Sequence, residues 1–103
     1  MATTYHVLPV QRHNDLIQAA YLHRGYLADE AQDATRFCEM AARHGIRTHN
    51  GIKALHLDHL FGSATGGCKP GAEVEVIKKP FAASEVWDGK LKLGQAVAFR
   101  AMD

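Results

Sequence analysis

Between Asp29 and Gly45 the chain sets Ala31, Ala34, Phe37, Cys38, Ala41 and Ala42 three or four residues apart, with polar residues between them. That spacing builds one face of an α-helix and fits no strand. Asp29 and Glu30 load the start with negative charge, Arg43 and His44 close the last turn, and Gly45 stops it. Alanines on a helix stripe let a neighbour approach closely, so the segment demands a packed partner. Residues 11–24 supply one: Leu16, Ile17, Ala20 and Tyr21 share a face, and Gly25 follows as a stop. A helical hairpin is therefore expected in the first half of the chain.

Residues 47–53, Arg-Thr-His-Asn-Gly-Ile-Lys, open a third helix. Asn50 suits an N-cap, and Ile52, Leu55, Leu57, Leu60 and Phe61 recur at helical spacing after it, so a helix is expected to start near Gly51. Its first turn presents unpaired N–H groups and the positive end of the macrodipole, with Lys53 adding a full charge and His49 just outside the cap. A small carboxylate suits that corner, and an imidazole titrating at about 6.5 can exchange a proton with it. The same His-Asn-Gly chemistry also serves as a plain turn between helices.

The remaining segments are shorter. Residues 5–10 are β-prone and meet Pro9, which suggests a short strand or edge segment. Residues 62–71 are a loop by composition, with neither Gly-x-Gly-x-x-Gly after a strand nor Gly-x-x-x-x-Gly-Lys-Ser/Thr, so a nucleotide site is not expected there. Residues 73–77 alternate at period two, residues 81–87 are a second β-prone run, and Asp88-Gly89 carries a hairpin-type turn signal. Leu93, Val97, Ala101 and Met102 return to helical spacing and run into Asp103 with no Gly, Asn or Pro to end the pattern. It reads as an interrupted helix, although fraying at a natural terminus fits as well.

Composition narrows the function classes. With 103 residues, 47% hydrophobic content and a formal net charge of +1, the chain fits one soluble domain without a basic or acidic footprint for nucleic acid. No apolar run approaches a membrane span and no leader pattern opens the chain, so a cytoplasmic location is expected. Cys38 and Cys68 then read as free thiols. His49, His56 and His59 fall close together, with Asp58 between two of them and Cys68 nearby, but neither His-Glu-x-x-His nor paired Cys-x-x-Cys occurs. Solvated helix histidines are the expectation, with no metal, and His6, His13, His23 and His44 read as surface or boundary residues. Trp87 reads as a core or interface anchor, and Lys78, Lys79, Lys90 and Lys92 as solvated charge.

Arg24-Gly25 followed by Asp29-Glu30-Ala31, then residues 41–45, Thr48-His49, Trp87-Asp88, Leu93-Gly94 and Ala101-Met102-Asp103 together form a recognisable order. Nearly the whole chain resembles the N-terminal part of the malate/L-lactate dehydrogenase family that is distinct from the Rossmann-type lactate dehydrogenases. Ureidoglycolate dehydrogenase, sulfolactate dehydrogenase and diketogulonate reductase belong to that family. Its usual motif is Ser-His-Gly with an Arg four residues after the His. The resemblance implies proton transfer by His49 and a substrate grip from Lys53, with Thr48 and Asn50 beside them. Asn50 stands where the family has a Gly that permits an unusual backbone angle, and Lys53 replaces a two-pronged Arg with a point charge. The loop around Gly66 and Gly67 is longer than the family pattern.

The expected fold is α+β: an N-terminal helical hairpin, a third helix carrying the site, a small β-hairpin and a truncated final helix. The resemblance implies that residues 1–103 are one substrate-side segment of a larger oxidoreductase, with the nicotinamide-binding domain outside it. It further implies NAD or NADP as cofactor, a small 2-hydroxy or 2-oxo acid as substrate, and partners in a missing C-terminal domain or subunit and in further copies of the chain. The rival reading is a non-enzymatic helical module that binds a partner through apolar faces, or an inactive fragment.

Overall fold

The computed structural model describes residues 3–103. The alanine stripe becomes helix α2, Ala28–Arg43, whose inward face carries Glu30, Ala31, Ala34, Thr35, Cys38 and Ala41. Helix α1, Val10–His23, packs against it through Ile17 and Tyr21, and α3, Gly51–Phe61, and α4, Gly94–Met102, also lean on α2. The hairpin of α1 and α2 is thus the base on which the later helices rest. Tyr21 is fully buried, its ring edge-on to Tyr26 at 5.6 Å between centroids.

Both helices of that hairpin end in the same way. Gly25 and Gly45 take φ of +94° and +70°, and the two amides after each cap turn back to helix carbonyls: Gly25 to Leu22 and Tyr26 to Tyr21, Gly45 to Ala42 and Ile46 to Ala41. This is the paired closure that a left-handed residue allows, and glycine reaches it without a Cβ penalty.

The α+β reading holds, with corrections in detail. Residues 5–10 form no strand: residues 3–9 are exposed without regular structure, and the Pro9 carbonyl accepts the His13 amide to open α1 at Val10. A proline without an N–H suits the start of a helix better than an isolated strand with no neighbour to pair with. Strands β1, Glu75–Phe81, and β2, Ser84–Asp88, pair antiparallel, but the chain reverses at Ala82 and Ala83 and Phe81 ends the first strand. The register slips between Val76 and Lys78 and again between Lys78 and Phe81, which hides the alternation in the sequence. The Asp88-Gly89 signal marks a different turn. Lys90 and Leu91 both have positive φ, 54° and 63°, between the Gly89 carbonyl and the Lys92 amide, 2.9 Å apart. An Asp88 Oδ1 contact to the Lys90 amide at 2.9 Å and ion pairs from Lys90 to Glu75 and Asp88 hold that strained backbone.

Among the described residues the strand backbones lie close to one another and to no helix backbone, so the hairpin extends away from the helical layer. The radius of gyration is 15.6 Å with extents of 57 × 28 × 24 Å, against about 13 Å for a compact chain of this length. Trp87 is not a core anchor: it sits half-buried at the hairpin base, with Arg100 5.7 Å above its ring. Cys38 is buried and Cys68 half-buried, both unpaired, and burial pushes the Cys38 thiol up to about 11. Among the described residues no helix is long and apolar enough to cross a membrane.

A Cβ on Gly67 would overlap the Phe61 carbonyl oxygen, whereas one on Gly89 meets nothing. Gly67→Ala is therefore expected to cost about 1–3 kcal/mol and Gly89→Ala under about 0.5 kcal/mol, measured by urea unfolding. Equal losses would remove Gly67 as a fixed close approach.

Candidate functional site

The loop from His44 to Asn50 carries α2 into α3. Asn50 caps α3 as its sequence suggests: Oδ1 accepts the Lys53 amide at 3.2 Å and the Asn50 carbonyl accepts the Ala54 amide at 2.8 Å. Its φ of −76° with ψ of 178° is extended, so the position asks nothing of a glycine here. The next residue does: Gly51 is buried, and a Cβ there would press into Ile17 of α1. The start of α3 is thereby seated on α1.

Thr48 and His49 lie outside the cap, exposed, with Thr48 Oγ1 2.8 Å from His49 Nδ1. That contact occupies one ring nitrogen and leaves Nε2 for a ligand. His49 lines the rim of an apolar groove of about 810 Å³ between α2, α3 and α4. Tyr21, Phe37 and Phe99 line it, with Met40, Leu57 and Phe61 among its more exposed residues. Lys53 is exposed, one turn before Leu57 on the same helix, and is not among the residues that line the groove. His44 also borders the groove, where its Nδ1–H donates to the Met40 carbonyl at 2.7 Å.

Two buried carboxylates that sequence reasoning did not single out as structural hold this arrangement. Asp58, on α3, accepts Tyr26 OH at 2.5 Å and the Ser63 amide at 3.2 Å on Oδ1, and Arg24 Nη1 at 2.8 Å and Ser63 Oγ at 2.7 Å on Oδ2. Arg24 also donates to the Leu55 carbonyl at 2.8 Å. Burial opposes ionisation of Asp58, but the hydrogen bonds from Tyr26, Arg24 and Ser63 outweigh it and hold the carboxyl below its ordinary range. The Tyr26 hydroxyl is pushed up, by burial first and by the Asp58 contact second. With every oxygen engaged, Asp58 is an anchor for α3 and not a free base.

Glu30 is fully buried. Its Oε1 accepts the Leu27 amide at 3.0 Å and the Gly71 amide at 2.8 Å, and its Oε2 meets Lys92 Nζ at 2.9 Å. Lys92 is thus no solvated charge: its side chain is buried and also donates to the Ala72 carbonyl at 2.9 Å. Lys69 and Ala72 amides, like that of Gly71, are spent inside the protein, on Leu91 and Lys69 carbonyls, and Gly67 turns back to Gly62. The Gly-rich loop therefore offers inward-facing amides instead of a phosphate cradle.

The structure does not gather the histidines with Asp58. His56 and His59 are exposed while Asp58 points into the Arg24 and Tyr26 cluster, and among the described residues no three His, Cys, Asp or Glu side chains are close enough to hold a metal.

No family model matches the chain, and no curated protein matches it in sequence. Among solved structures, the fold is that of part of a dehydrogenase. The malate dehydrogenase from Pyrococcus horikoshii OT3 superposes with a TM-score of 0.83 at 25% sequence identity, over 95% of this chain and 27% of that one. The chain thus spans about a quarter of the length of the enzyme it is similar to.

A carboxylate held below its unfolded pKa stabilises the protein fully above that value, about 3.9 for Asp, and loses the effect as pH falls through the folded value. Stability is therefore expected to drop below about pH 4, and Asp58→Asn to flatten that part of the profile while lowering stability at pH 7. An unchanged acid limb in the variant would remove Asp58 from that role.

Proposed function

We propose that this chain supplies the substrate side of an NAD(P)-dependent oxidoreductase that interconverts a small 2-hydroxy acid and its 2-oxo acid. The observation that carries this reading is the position of His49: one residue before the cap of α3, on the rim of the groove, and four residues from Lys53. The likeness to a malate dehydrogenase supports the same reaction class.

In the reduction direction His49 gives a proton to the carbonyl oxygen as it becomes an alkoxide, and in oxidation it takes the hydroxyl proton back. Lys53 and the first-turn amides of α3 neutralise the carboxylate and fix which carbon faces the hydride. Thr48 steadies the imidazole through Nδ1, and Asn50 keeps the first turn of α3 in place. The hydride is the chemistry that NAD or NADP supplies when bound. The amides of the Gly-rich loop are spent inside the protein, and the reading assigns nucleotide binding to polypeptide beyond this segment, in a C-terminal domain or a partner subunit. The assembled enzyme is proposed to be a homo-oligomer.

In enzyme that includes this segment, His49→Ala is expected to lower kcat by about 10²-fold or more with a smaller change in KM. Lys53→Ala should act chiefly on KM, by roughly tenfold, and Lys53→Arg should preserve or improve it. A His49→Ala enzyme within about threefold of the parent kcat would return His49 to a turn residue.

A further inference from the structure

Helix α3 begins against α1 at one buried residue. A Cβ on Gly51 would meet Ile17 and, 3.5 Å away, His13 Nε2. Because Cβ bonds tilt toward the N-terminus of their helix, the imidazole stands on the side where α3 starts. Gly51 lies between His49 and Lys53, two residues from each, so its seat governs where both stand relative to α1.

The ring itself is held from α2. Glu39 Oε1 accepts Asn14 Nδ2 at 2.7 Å and Oε2 accepts Arg43 Nε at 3.2 Å, and these bonds, that of Asn14 foremost, keep the carboxyl below its ordinary range. A carboxylate only accepts, so the Asn14 nitrogen faces it and Asn14 Oδ1 is left toward His13 Nδ1, 2.9 Å away. An amide oxygen only accepts as well. The proton of the neutral imidazole is therefore on Nδ1, and Nε2 keeps its lone pair toward the positive end of α3. His13, Asn14 and Glu39 are all half-buried, whereas His23 at the far end of α1 is exposed.

Resting on the roles given above to His49 and Lys53, we infer that His13 is a positioning residue of the site. The series Arg43, Glu39, Asn14 and His13 fixes one tautomer, and the bare Nε2 against Gly51 holds the start of α3, with His49 before it and Lys53 within it, where a substrate meets both.

The tautomer is read on the chain itself by two-bond proton–nitrogen NMR correlation with isotope-labelled histidine, at a pH where the imidazoles are neutral. His13 is expected in the Nδ1–H form, and Asn14→Leu to release it into a mixture. His13→Leu fills the space without an acceptor and should move the amide resonances of residues 49–53. His13→Gln, whose Oε1 replaces the lone pair, should return them toward the parent, and His23→Leu should leave them in place. In enzyme that includes this segment, His13→Leu is expected to lower kcat/KM by about tenfold or more, through kcat and KM together because it displaces proton donor and carboxylate grip at once. His13→Gln should restore most of that loss. An Nε2–H form in the parent chain, or residues 49–53 unmoved in His13→Leu, would overturn the inference. So would a His13→Leu enzyme that unfolds more easily but keeps both constants, which would leave His13 a packing residue. The underlying reading fails separately: a His49→Ala enzyme with its kcat intact, alongside the expected tautomer and resonance shifts, keeps the positioning by His13 and rejects proton transfer by His49.

Discussion

The contact on which the rest of the structure depends is that of Glu30 with Lys92. A glutamate with no exposed surface ties three stretches distant in sequence: the start of α2 through the Leu27 amide, the Gly-rich loop through the Gly71 amide, and the approach to α4 through Lys92. Moving an ion pair out of water is costly, and it persists only where further hydrogen bonds satisfy both partners. Both are satisfied here, since Lys92 also reaches the Ala72 carbonyl. Among the described residues no buried side-chain nitrogen or oxygen lacks a partner.

Polar clamps matter in this chain because its apolar core is thin. Among the described residues, five of the eleven buried hydrophobics, Ala31, Ala34, Ala41, Ala54 and Ala96, are alanines, which bring helices close but remove little area from water. Close helices without large interlocking side chains are free to slide, and directional contacts oppose that sliding. Asp58 does for α3 what Glu30 does for α4, binding it to Arg24 and Tyr26 at the turn between α1 and α2. The same thinness leaves Phe61, Leu57 and Met40 exposed along the groove. Scaffold and groove therefore have one cause: small residues set the helix spacing, and charged anchors fix α3 and the approach to α4, which carry much of the groove lining.

What was legible in the sequence follows from range. The helices, their glycine stops and the Asn50 cap depend on residues within a few positions of one another, and their spacing shows directly. The hairpin was visible as two β-prone runs, but its reversal at Ala82 and Ala83 was not, because bulges broke the alternation. The clamps were hidden by distance: Arg24 and Asp58 lie 34 residues apart and Glu30 and Lys92 lie 62 apart, with no local pattern linking either pair. Glu30 read as helix-start charge, which its bond to the Leu27 amide makes half correct, while Lys92 read as solvated and is buried. The placement of His49 and Lys53 at the start of α3 was legible because the Asn50 cap and the helical spacing after it lie within a few residues of both.

A double-mutant cycle on Glu30 and Lys92, read by denaturant unfolding at neutral pH, tests the central claim most directly. Glu30→Gln keeps an acceptor for the Leu27 and Gly71 amides but leaves a buried ammonium, and Lys92→Met leaves a buried carboxylate. Each single change is expected to cost about 3 kcal/mol or more. The double variant should recover much of that loss, with a coupling above about 1.5 kcal/mol. Single losses that simply add, with a coupling under about 0.5 kcal/mol, would contradict a structure held together by this pair.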